Sequence, residues 1–215
     1  MNDLFGVIGK RCLIPVIVIE DAELATPVCE TLLEVGLPVA EITFRTQAAL
    51  ASIQAISKAL PEMHVGAGTI LSRKQAEQAI QAGASFIVSP GYSREVVEWC
   101  RNNNATVIPG CSNPTDMTNA INDGLDTVKL FPAESLGGLQ TLRALASVFV
   151  NLRFIPTGGI SITNLREYLG FPKVMACGGS WMVKADFIES RNFDAIKSAT
   201  RHALDMVAEV RGGDY

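Results

Sequence analysis

Histidine is scarce in this chain, with only His64 and His202 among 215 residues and a long stretch of sequence between them. A zinc site built on imidazoles and a Ser-His-Asp triad are correspondingly disfavoured. The five cysteines (Cys12, Cys29, Cys100, Cys111 and Cys177) are odd in number and form no CxxC pair. They point to a reduced compartment and suggest neither a disulfide framework nor a metal site. Clustered positive charge is missing as well: the 18 basic residues contain no run longer than Lys10-Arg11 or Arg73-Lys74, and the net charge is −4. Nucleic acid is therefore not an expected partner, since clustered charge supplies that affinity. The longest apolar run, Cys12 to Ile19, is interrupted by Pro15 and falls well short of the ~20 residues a membrane helix needs. Met1-Asn2-Asp3 lacks the basic start of a signal peptide. These absences lead to the expectation of a cytoplasmic protein with no membrane partner.

What is present is apolar. Hydrophobic residues make up 48% of the chain and charged residues 19%, a composition that folds and does not stay disordered. The length fits one domain spanning residues 1–215. Short β-rich runs alternate with helical stretches: LIPVIVI from Leu13, VAEITF from Val39, HVGAG from His64, SFIVS from Ser85, TVIPG from Thr106, TVKLF from Thr127, RFIPT from Arg153 and KVMAC from Lys173. Thr46, Ser72, Ser93 and Asn113 (followed by Pro114) occupy N-cap positions, and Gly36, Gly83 and Gly124 fall where helices should end. A last helix is expected from about Phe193 to Val210. Eight strand–helix units without a composition break predict a (β/α)8 barrel, with a doubly wound open sheet as the competitor.

Ligands of such a barrel bind at the C-terminal ends of the strands, and the unusual residues gather there. Gly66-Ala67-Gly68-Thr69, Ser89-Pro90-Gly91 and Pro109-Gly110 follow runs three to five, where turn geometry explains glycine as well as function does. Thr157-Gly158-Gly159 and Gly178-Gly179-Ser180 follow runs seven and eight, the loops from which barrels often build a phosphate site out of backbone N–H groups and a helix N-terminus. Alternation along Val39 to Arg45 turns Glu41, Thr43 and Arg45 inward. A Glu41–Arg45 ion pair with a purely structural role remains open as the alternative. The sixth run turns Thr127, Lys129 and Phe131 inward. Lysine is rarely buried without a partner, and desolvation favours the free amine, which can attack a carbonyl. A stabilising Lys129–Glu41 pair is the competing explanation, but such burial gives no dependable gain. Lys10, Lys58, Lys74, Lys184 and Lys197 belong to loops or helix faces, and Lys173 sits at the wrong end of its run.

At this point the residues resemble a known family, the 2-keto-3-deoxy-6-phosphogluconate aldolases, which also cleave 4-hydroxy-2-ketoglutarate. The likeness runs in order from about Ile14 to Ala208: PVIV at Pro15, EITFRT at Glu41, VGAGTI at Val65, SPG at Ser89, IPG at Ile108, VKLFPAE at Val128, FIPTGGIS at Phe154 and GGSWMV at Gly178. The resemblance implies a (β/α)8 homotrimer that needs no cofactor or metal and acts on a small 2-keto acid. By the same likeness Lys129 is the Schiff-base lysine and Glu41 the general acid/base. Arg45 and Thr69 would bind the substrate carboxylate, with Pro90, Phe131 and Thr157 lining the substrate site and Gly158, Gly159, Gly179 and Ser180 holding phosphate. One departure stands out: some relatives carry arginine near the end of the first strand, where this chain has Val18. The rival readings are a phosphosugar isomerase or epimerase on the same barrel and a non-catalytic phospho-ligand-binding protein.

Overall fold

The computed structural model describes residues 4–212; Met1-Asn2-Asp3, read above for a leader segment, lies outside the described residues. The helix α1 (Leu4–Arg11) precedes β1 (Leu13–Ile17), and α2 (Ala25–Glu34) leads to β2 (Val39–Thr43). The alternation continues through α3 (Ala49–Ala59), β3 (His64–Gly68), α4 (Arg73–Gln81), β4 (Phe86–Val88), α5 (Arg94–Asn102), β5 (Thr106–Ile108), β6 (Gly110–Cys111) and α6 (Pro114–Asn122). Then follow β7 (Thr127–Leu130), α7 (Gly138–Val148), β8 (Arg153–Pro156), α8 (Leu165–Leu169), β9 (Cys177–Gly179), α9 (Ala185–Glu189) and α10 (Phe193–Arg211). Every strand pair is parallel, as crossover helices require. Among these residues no helix is long and apolar enough to cross a membrane.

The strands form a six-stranded sheet in the order β5-β4-β3-β2-β1-β9 and a three-stranded sheet in the order β6-β7-β8, where the sequence suggested one uninterrupted set of eight. One interruption is local and the other is a change of partner. The fifth run breaks at Pro109, which has no N–H to continue a ladder; β5 pairs with β4, whereas β6 pairs with β7. The eighth run, expected from Lys173, changes partner midway. Met175 N–H donates to Phe154 at 2.9 Å, but Cys177 N–H donates to Cys12 at 2.8 Å. Regular strand therefore begins only at Cys177, while Val174 and Gly178 make isolated parallel bridges to Phe154 and Thr157.

Local signals in the sequence fix several helix starts. The side chains of Ser72, Ser93 and Asn113 accept the N–H groups of Gln75, Val96 and Asp116, each cap contributing about 1 kcal/mol. Thr46 does otherwise: α3 starts at Ala49 with no side-chain cap, and the Thr46 hydroxyl donates to the Ile19 carbonyl in the loop after β1. Gly36, Gly83 and Gly124 close their helices at φ of +82°, +100° and +74°, which L-residues with a Cβ avoid.

Strand register sets what lies inside. Glu41 pairs with Val16 on one side and Gly66 on the other, and Lys129 pairs with Gly110 and Ile155. A side chain on Gly66 would meet the Phe86 ring at 2.2 Å, so that ring crosses the strand and fills the interior. Ala40, Ile42, Val128 and Leu130, on the other face, are wholly buried, in line with the helix-facing role read from alternation.

Candidate active site

Lys129 and Glu41 come from strands far apart in sequence and meet inside the fold. The Lys129 Nζ donates to Glu41 Oε1 at 3.2 Å, and the two residues are only 6% and 3% exposed. Room for the carboxylate is made by Gly68, where an added Cβ would lie 2.1 Å from Glu41 Oε1. The glycine at this strand end therefore serves close approach and not a turn. The alternative Glu41–Arg45 pairing is not formed: Arg45 is exposed, and its Nε donates to Thr69 Oγ1 at 3.4 Å. Thr69 is held at φ +58°, a left-handed backbone that non-glycine residues seldom adopt.

Above this pair opens a cavity of about 330 Å³, lined by Arg45, Phe131, Thr157, Gly158, Gly159, Gly179 and Ser180, with Val16, Val18 and Ile160 completing the wall. Phe131 connects the two levels, since its ring centroid lies 5.4 Å from Lys129 Nζ. Lys129, Glu41, Thr69 and Pro90 stand outside the lining. Thr69 is joined to it through Arg45. Pro90 approaches through Gly110, the register partner of Lys129, where a Cβ would meet the Pro90 carbonyl oxygen at 2.2 Å.

The two glycine pairs solve different problems. Gly158 and Gly159 adopt φ of +95° and +83°. Their loop is tied to the loop after β7 by Ala133 N–H donating to Thr157 O and Glu134 N–H to Gly158 O, at 2.8 and 3.0 Å. Among the described residues the N–H groups of Gly159 and Ile160 meet no acceptor, which leaves two backbone donors in the lining of the cavity. Gly178 and Gly179 instead clear space for Thr157 Oγ1 and for the Trp181 ring, which a Cβ would meet at 2.3 and 2.0 Å. The helix N-terminus expected to share in phosphate binding does not begin at these loops. The helix α8 starts only at Leu165 and α9 at Ala185, and each has five residues. The loop backbone presents the donors.

Other chemistries find no support among the described residues. No group of three or more metal-ligating side chains occurs. All five cysteines are buried and unbridged, and burial pushes the Cys29 and Cys111 thiols up to about 12, far from a thiolate nucleophile. His64 begins β3 and His202 lies on α10, facing a separate cavity. Sequence reasoning left Val16 and Ile160 out of the site. Apolar residues there carry no chemical signal, and only tertiary structure shows that they wall the cavity.

A sequence profile for the family described as "Aldolase: KDPG and KHG aldolase" matches residues 6–199. The 2-dehydro-3-deoxy-phosphogluconate aldolase of Treponema pallidum is 41% identical over 207 residues, covering 96% of this chain and 99% of the relative. The KHG/KDPG aldolase of Escherichia coli is 40% identical, covering 89% of this chain and 90% of its own length. Among solved structures, the 2-keto-3-deoxy-6-phosphogluconate aldolase of Zymomonas mobilis with 3-phosphoglycerate superposes with a TM-score of 0.88 at 40% identity, covering 96% of this chain and 97% of that one. The KDPG aldolase of Legionella pneumophila, with pyruvate captured as a covalent carbinolamine intermediate, gives a TM-score of 0.90 at 34% identity, covering 93% and 97%. A buried amine against a carboxylate, beneath a glycine-lined opening, thus sits in a chain that belongs to the KDPG and KHG aldolase family.

Proposed function

We propose that this chain is a class I aldolase that cleaves 2-dehydro-3-deoxy-6-phosphogluconate to pyruvate and glyceraldehyde 3-phosphate, and 4-hydroxy-2-oxoglutarate to pyruvate and glyoxylate. The observation that carries the reading is the buried 3.2 Å contact between Lys129 Nζ and Glu41 Oε1. Across it the ammonium passes a proton to Glu41, and the freed amine attacks the C2 ketone. Glu41 returns that proton to the departing hydroxyl, water leaves, and a protonated imine remains on Lys129. The imine is an electron sink, so C3–C4 cleavage needs no metal. Glu41, again a carboxylate, removes the C4 hydroxyl proton as the bond breaks, and the aldehyde departs. The resulting enamine takes that proton back at C3, and water then releases pyruvate and regenerates the ammonium.

Arg45, at the cavity wall beside Thr69, holds the pyruvate carboxylate through a planar guanidinium. Phe131 and Thr157 line the path of the sugar chain, and Pro90 bounds the pocket behind Gly110. Phosphate is held by the Gly158–Gly159 loop, Gly179 and Ser180. With Val18 in the wall in place of a guanidinium, backbone donors and hydroxyls carry that contact.

In the same reading the strands close into one (β/α)8 barrel within a single domain of residues 1–215. Adjacency of β5 and β6 across Pro109 supports one seam, and the Phe154–Val174 and Thr157–Gly178 bridges support the other. We also propose a cytoplasmic homotrimer, on the family resemblance. The decisive experiment is incubation with pyruvate and borohydride, then peptide mass spectrometry. A reduced pyruvyl adduct on Lys129 is expected. An isomerase or a silent ligand-binding protein would leave that peptide unmodified, and such a result overturns the assignment.

A further inference from the structure

Glu134 poses an electrostatic problem. It lies directly behind the glycine loop assigned to phosphate, where a carboxylate free to swing would repel the ligand. A Cβ on Gly159 would lie 2.5 Å from both Cβ and Cγ of Glu134, so its stem packs flat against that glycine. Its backbone N–H donates to the Gly158 carbonyl at 3.0 Å. Its carboxylate, however, is turned to α8, where the hydroxyl of Tyr168 donates to Glu134 Oε1. Tyr168 is only 2% exposed, so its hydroxyl has little access to water, and this bond satisfies it. A second tether comes from the residue that precedes the same helix: Asn164 Nδ2 donates to the Gly159 carbonyl at 3.0 Å and its Oδ1 accepts Ser161 N–H at 2.9 Å.

We propose that Tyr168 and Glu134 form a clamp that sets affinity for the phosphorylated end of the substrate: Tyr168 draws the Glu134 charge away from the anion site, while the Glu134 stem props the Gly158–Gly159 loop in its donor-presenting shape. Neither residue touches the reacting carbons. Both are positioning residues, and the clamp acts on the phosphate half of the cavity while the Lys129 half is left alone. The inference rests on the aldolase reading above and deepens its phosphate site.

The test compares Tyr168→Phe with the wild-type enzyme on two readouts: KM for the phosphorylated aldol substrate, and the rate of borohydride trapping by pyruvate, which carries no phosphate. With the carboxylate released, KM should rise about ten-fold, the scale of one lost charge-assisted hydrogen bond, while trapping is unchanged. Adding Glu134→Gln to Tyr168→Phe removes the loose charge and should recover most of that KM. Equal loss on both readouts, an unchanged KM in Tyr168→Phe, or no recovery in the double variant would each overturn the clamp. Should Tyr168→Phe fail to fold, Glu134→Ala against Glu134→Gln makes the same distinction. Alanine, lacking the stem, should raise KM for the phosphorylated substrate, and glutamine, which keeps stem and acceptor, should not; equal effects refute the proposal. Failure of the underlying aldolase reading looks different, because wild-type protein would then trap no pyruvate.

Discussion

The strand β7 and the residue just before it carry two ion pairs of opposite character. Asp126 meets Arg153 at 2.8 Å with side chains 64% and 42% exposed, while Lys129 meets Glu41 at 3.2 Å with side chains 7% and 4% exposed. Solvent screens the outer pair, which is worth about 0–1 kcal/mol. Removing both inner charges from water costs several kcal/mol per ion by an order-of-magnitude argument, and their attraction need not recover it. On the function proposed above, such a pair, three residues along from an ordinary one, is kept for chemistry and not for stability. The two pairs thus differ in cation as well as in burial: a solvated guanidinium–carboxylate contact precedes the strand, and a desolvated amine–carboxylate pair, whose amine can be freed for attack on a carbonyl, lies within it.

The sharpest break of this contrast is Lys129→Ala. Turnover should vanish and the pyruvate adduct with it, as read by coupled assay and mass spectrometry; near-normal turnover would mean that the inner pair is structural after all. Glu41→Gln ranks next. Imine formation should persist in part while proton-transfer steps slow by roughly 10²–10⁴-fold, and an unaffected rate in single-turnover measurements would move the acid/base role elsewhere. Asp126→Asn should do least, leaving turnover intact and lowering stability by less than about 1 kcal/mol in urea unfolding at neutral pH. Its effect also has a pH signature. Burial acts to raise the Asp126 carboxyl, but hydrogen bonds from Thr127 and Arg153 and the charge of Arg153 outweigh it, holding the group below the usual carboxylate range. A lowered folded-state value means that the contribution is present above the unfolded value near 3.9 and is lost as pH falls through the folded one. The difference between wild type and Asp126→Asn should therefore shrink in acid, and a difference that grows there would contradict the assignment.

Alternation in Val39–Arg45 and Thr127–Phe131 was enough to turn Glu41 and Lys129 to one side, because a strand has period two whatever surrounds it. Helix caps at Ser72, Ser93 and Asn113 were legible for a similar reason: a short polar side chain satisfies N–H groups two or three residues away, with no help from elsewhere. Thr46 misled because its hydroxyl had a tertiary competitor, the Ile19 carbonyl. The break between Val174 and Cys177 was hidden too, since it depends on which neighbouring strand offers a hydrogen bond.

Sequence by itself determined the order of strands and helices, the inward residues and the family, all of which are properties of local period and motif. Tertiary structure alone decided that Gly68 makes room for Glu41, that Arg45 turns to Thr69 and away from Glu41, and that Tyr168 reaches Glu134. Those outcomes rest on distances between segments remote in the chain, where packing and desolvation act and one-dimensional pattern has no purchase.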